Sequence, residues 1–175
     1  MTRIAVSVER EDEVATKATL AWATLGVLSI LGEAAIRLAL IAFEGLHGQP
    51  RPGVVLGYLV AIAVMVYVEG YRGFHKSFAP AFAARATELA RSGSFGCRLA
   101  APIVAMGLCG CDRKTHLRMW TLTAFIVGFV FLVRAAEQPV RGMIDAGVSV
   151  ALLVGGISVA WHVLRGRVAD EEVAR

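Results

Sequence analysis

Four runs of apolar residues, over about 18–43, 54–70, 117–134 and 143–164, constrain this chain more than any other feature of it. The first and last exceed the roughly 20 residues that a helix needs to cross about 30 Å of hydrocarbon. Runs of that length predict membrane-crossing helices. Composition agrees: 57% of residues are hydrophobic and 18% charged, against about 45–50% and 25% in soluble domains. The expected fold is all-α, a single membrane domain over residues 1–175. It is an integral membrane helical bundle of four transmembrane helices, with the lipid bilayer as its solvent.

Two segments between the second and third runs need separate treatment. Over 74–91, Phe74, Phe78 and Phe82 recur at i, i+4 and i+8, while Lys76, Arg85, Glu88 and Arg91 take polar positions. Pro80 suits a first helical turn, where its missing N–H costs nothing. The pattern predicts an amphipathic helix on the cytoplasmic membrane surface. A helix packing its Phe stripe on the bundle has the same pattern. Residues 99–110 are apolar but short, and Pro102 and Gly107 interrupt them. That length suits a re-entrant or interfacial segment.

Charge sets the expected topology. Lys and Arg concentrate on cytoplasmic loops near span ends. With four spans and 99–110 held inside, fourteen of the 18 Lys and Arg residues are cytoplasmic; Arg51, Arg134 and Arg141 are external, and Arg37 lies within the first span. If 99–110 crossed, the division would fall to ten against seven. Both termini are therefore expected in the cytoplasm, across a plasma membrane of bacterial inner-membrane type. Met1 to Thr16 carry Arg10, Glu11, Asp12 and Glu13 ahead of any apolar run, which does not match a cleavable signal. The first span is expected to act as an uncleaved insertion signal. The two external turns, Gln49-Pro50-Arg51-Pro52-Gly53 and Gln138-Pro139-Val140-Arg141-Gly142, are alike enough to suit two parallel hairpin repeats. Pro and Gly are also ordinary turn formers.

The main polar feature is Glu33 with Arg37, one helical turn apart inside the first span. A charge at that depth costs at least about 2.5–3.5 kcal/mol on insertion scales, and i,i+4 pairing offsets part of it. Ser29, Glu44 and Gly26 fall near the same face. The stripe is expected to face the bundle interior or a partner, either as an ion, proton or substrate site or as a neutralised pair that keeps helices in register. Tyr58 and Asp145 toward the outside, and Glu69, Tyr71 and Arg72 toward the inside, complete the candidate intramembrane polar site. Gly147, Ala151, Gly155 and Ser158 form a small-residue ridge on the last span, and Gly57/Ala61 and Ala124/Gly128 repeat the spacing elsewhere. Such ridges let helices approach closely.

His75, His116 and His162 gather near the cytoplasmic boundary with Cys97, Cys109 and Cys111. These residue types suit zinc or copper, and His116 with His162 suits an axial haem pair. Interfacial histidines are common and Cys109-Gly110-Cys111 has no second pair, so no cofactor or metal is expected. Three cysteines do not make a disulfide framework. No phosphate-cradling loop, HExxH or GxSxG occurs, so no enzyme is expected. The net charge of +4 belongs to residues flanking apolar runs, and no basic stripe interleaved with aromatics points to nucleic acid. The expected role is a non-enzymatic accessory, scaffold or assembly component of a membrane complex, partnered by a second copy or another membrane protein. The alternative is an oligomeric small-molecule or ion transporter or channel using Glu33 and Arg37.

Overall fold

In the computed structural model, the backbone is described for residues 2–48, 51–108 and 113–173. Side chains are described for 13–47, 51–108 and 126–166, and at 113, 117, 120, 121 and 124. Described residues are helical almost throughout, with no strand among them. The elements are α1 (Thr2–Gly48), α2 (Pro52–Met65), a π-helical stretch π1 (Val66–Phe78), α3 (Ala79–Ser92), α4 (Phe95–Leu99), α5 (Ala101–Ala105), α6 (Arg113–Arg134) and α7 (Val140–Val173). Three helices are long and apolar enough to cross a membrane: Glu13–His47, Pro52–Ser92 and Val140–Gly166.

The second of these joins two segments that the sequence separates. α2, π1 and α3 run on without a break, so residues 74–91 extend the helix that begins at Pro52. The backbone N–H of Ala79 donates to the Phe74 carbonyl, five residues back, which is the i→i+5 bond of a π-helix. Gly70 and Gly73 do not break the helix. Gly70 is buried, and a Cβ there would lie 3.2 Å from Val154 Cγ1 and 3.6 Å from the Ala151 carbonyl oxygen. Its role is close approach of π1 to α7.

α7 is the central helix, packed on α1 and on the α2–π1–α3 helix, which also meet each other. At one end the last turn of α1, the start of α2 and the 135–139 turn lie together; Ala42, Tyr58 and Ala146 are buried there, with Leu46, Val54, Ile62 and Met143 against them. The opposite end holds the larger core: Leu20, Ala23 and Val27 of α1, Ala79, Phe82 and Ala86 of α3, Ala101 and Ala105 of α5, and Val159 and Val163 of α7. The Phe stripe contributes to this core. Phe82 is fully buried and Phe78 packs beside it, so the apolar face of 74–91 meets α1 and α7.

The described part of 99–110 folds as a five-residue helix, α5, packed on α1 and α3. Five residues rise about 7.5 Å, a quarter of the hydrocarbon thickness. α5 ends with Gly107 at φ 83. The N–H of Gly107 donates to the Val104 carbonyl and that of Leu108 to the Ile103 carbonyl, the pair of bonds that closes a Schellman motif. Pro102 sits against Gly26, where a Cβ would come within 2.6 Å of it, and Trp22 Nε1 donates to the Leu99 carbonyl at 2.9 Å. Along α6 the described side chains are mostly exposed, apart from buried Val133 near the 135–139 turn.

Candidate functional site

Glu33 and Arg37 form an ion pair, Arg37 Nη2 to Glu33 Oε1 at 2.5 Å, but on the outer wall of the bundle. Their side chains are 64% and 75% exposed. Of the two expected surroundings, the bundle interior or a partner, the single chain does not supply the first. The reason lies in helix geometry. Ala35 is buried, and its carbonyl accepts a hydrogen bond from Ser149 Oγ of α7 at 2.8 Å. Glu33 and Arg37 lie two residues to either side, each about 200° around the helix, so burying Ala35 turns both outward. Ser29 and Glu44 share the exposed face with Ile36, Leu40 and Phe43. Gly26 does not, because Pro102 covers it.

The buried charge is at the turn end instead. Asp145 is 5% exposed, and Arg141 Nε approaches its Oδ2 to 3.7 Å. That is too long for a hydrogen bond, and neither atom has another hydrogen-bond partner among the described residues. Beside this pair, Tyr58 donates its hydroxyl to the Ala42 carbonyl at 2.9 Å. The Gln138 side-chain oxygen accepts from the Gly142 N–H at 3.1 Å. Gly45 of α1 and Gly142 of α7 leave the room that the Tyr58 hydroxyl and Gln138 amide occupy. The cluster fastens α1, α2 and α7 together at the 135–139 turn. Sequence reasoning counted Arg141 only as a loop charge and did not single out Gln138 or Ser149. The i,i+4 spacing of Arg141 and Asp145 was the available signal.

Glu69 is half-buried, while Tyr71 and Arg72 are exposed. None of the three is paired with Glu33 or Arg37, so the candidate intramembrane polar residues form separate groups. The small residues divide in the same way. Gly147 faces α2, where a Cβ would lie 2.8 Å from the Ala61 carbonyl oxygen; Gly155 faces the Phe74 ring at 2.6 Å; Ala151 and Ser158 are buried between. Gly57 lies against Met143. Ala124 and Gly128 on α6 are exposed, and a Cβ at Gly128 would meet nothing within 4 Å.

His75 of π1 and His162 of α7 come together, with ring centres 5.0 Å apart and planes inclined at 66°. Tyr71 stacks on His75 at 5.8 Å, and Tyr67 on Tyr71 at 6.2 Å. A cleft of about 520 Å³ opens beside His162, between α3 and the end of α7, and Thr87, Glu88, Arg91 and Ser92 line it. Cys97 is exposed. Cys109 and Cys111, and the His116 side chain, lie outside the described residues. Among those described, no three His, Cys, Asp or Glu residues stand close enough to share a metal ion.

No protein-family model matches the chain, and no curated protein or solved structure does either.

Proposed function

We propose that the chain is a non-enzymatic accessory, scaffold or assembly component of a membrane complex, and that the outer face of α1 is where it meets its partner. The observation that carries this reading is the Glu33–Arg37 pair, exposed near the middle of a 35-residue membrane-length helix. Charged groups at that depth are expensive against lipid and are normally turned toward protein or water. A neighbouring helix, from a second copy or another membrane protein, would shield both. The proposed arrangement has four crossings with α6 as the third, because its 22 residues rise about 33 Å. Trp22 and Trp161, both exposed and at the α5 end, suit one interfacial aromatic belt.

Photo-crosslinking in native membranes tests the proposal. A photoreactive residue at Ser29, Ile36 or Leu40 is expected to give one discrete adduct, with the complex recovered intact in mild detergent. A chain that stays monomeric in mild detergent and gives no adduct from any of the three sites would refute it.

The same exposed stripe favours one alternative, an oligomeric transporter or channel in which copies of α1 surround a shared polar path. The two readings separate on replacement of both charges by apolar residues. A scaffold tolerates a well-packed apolar pair, whereas a transporter loses function although it still assembles.

A further inference from the structure

We propose that His75 and His162 form a binding site for a zinc-like, borderline-soft transition-metal ion that enters from the adjoining cleft. The site is separate from the outer face of α1 and stands independently of the assembly role.

The hydrogen bonds around Ser158 fix the chemistry. Ser158 Oγ donates to the Val154 carbonyl at 2.8 Å. Its single proton is thereby used, so toward His75 Nδ1, at 3.3 Å, it acts as an acceptor. His75 therefore carries its proton on Nδ1. His162 Nδ1 lies 2.9 Å from the Ser158 carbonyl, which only accepts, so this ring too is protonated on Nδ1. One residue thus sets the tautomer of both rings and leaves both Nε2 lone pairs without a hydrogen-bond partner among the described residues. A metal-binding histidine has this arrangement, with its second ring nitrogen donating to a protein oxygen that orients the ring.

Spacing and access agree. Two imidazoles sharing one tetrahedral zinc at about 2.0–2.1 Å place their ring centres about 5 Å apart, and these stand at 5.0 Å. The two ligands come from different helices, and the Tyr71 stack holds His75 in place. Ser158 is 5% exposed, so the orienting group is sheltered from water. Two protein nitrogens leave further coordination positions to water or to an anion in the cleft beside Thr87, Glu88 and Arg91.

The test uses the full chain in detergent, stripped with a chelator and titrated with Zn²⁺ by calorimetry and with Co²⁺ by visible absorption. The expected result is one ion per chain. His75→Ala and His162→Ala should each weaken binding at least about 100-fold, and Ser158→Ala about 10-fold, as loss of an orienting partner does. His47→Ala, at the turn end, should leave it unchanged. Helical circular dichroism identifies any variant that fails to fold, and His75→Gln and His162→Gln then replace it. The inference is overturned if the wild type takes up no ion. It is equally overturned if uptake survives the double histidine variant, or depends on Cys109 and Cys111 instead.

Discussion

At the residue scale, the decisive distinction is between charges the sequence displays and charges the fold buries. Glu33 and Arg37 are conspicuous in an apolar run, yet they face outward. Asp145 sits near a span end, where sequence reading gives it a minor place beside Tyr58, yet it is almost fully buried. Depth along a span is legible in sequence because it follows from counting residues. Orientation around the helix depends on which stripe the neighbours take, and α1 is apolar on several sides. The Arg141–Asp145 pair has a measurable consequence. Arg141→Ala leaves the buried carboxylate unpaired and should cost about 3 kcal/mol, the lower end for a broken buried pair, because the Arg141 side chain is 31% exposed. Asp145→Asn should cost less, and the double variant should recover part of the loss, giving a positive coupling in a double-mutant cycle. Thermal or denaturant unfolding in detergent measures each corner. A double-variant loss equal to the sum of the two single losses would mean that the pair contributes nothing.

At the element scale, three of the four apolar runs fall in helices long and apolar enough to cross a membrane, and they were legible because they rest on length. The continuity of α2 through α3 was not. Glu69, Gly70, Arg72, Gly73 and Lys76 read as a polar, flexible break. In the fold, Gly70 packs on α7 while Arg72, Gly73 and Lys76 are exposed, so one continuous helix carries a packed face and a polar face. The small-residue spacing shows the same limit. It recurs on three spans, but it states only that close approach is allowed, not which helix approaches. On α7 the approach is real: Gly147→Ala would press a Cβ against the Ala61 backbone, which cannot rotate away. We expect a loss of about 1–3 kcal/mol, the usual cost of overpacking. Gly128→Ala on α6 meets nothing and should be neutral or stabilising by up to about 1 kcal/mol, through helix propensity alone. Unfolding midpoints of the two variants decide the matter. A destabilised Gly128→Ala would show that α6 has a neighbour at that face.

At the scale of the whole molecule, the question is how many times the chain crosses. α4 and α5 return to the end at which α3 finishes and pack on Trp22 and Gly26 of α1. A chain leaving α5 therefore starts α6 from the end where it last emerged. If α6 then crosses, α7 brings the chain back, and both termini share the side where the positive charge gathers. Single cysteines placed in a Cys97→Ser, Cys109→Ser, Cys111→Ser background report this directly through a membrane-impermeant maleimide applied to intact cells. Positions 51 and 137 should label at once, and positions 94, 113 and 165 only after permeabilisation. If α6 does not cross, position 137 becomes protected and position 165 labels from outside while 113 stays inside. If 99–110 crosses as well as α6, 113 and 165 both label from outside and 137 is protected. The charge count weighs against that second pattern, because it would carry Arg113, Lys114, Arg118, Arg165, Arg167 and Arg175 to the external face, against the positive-inside bias. The five-residue length of α5 weighs against it separately. Labelling at position 113 therefore reads out two independent physical constraints at once, the length of the 99–110 segment and the side to which the basic residues are held.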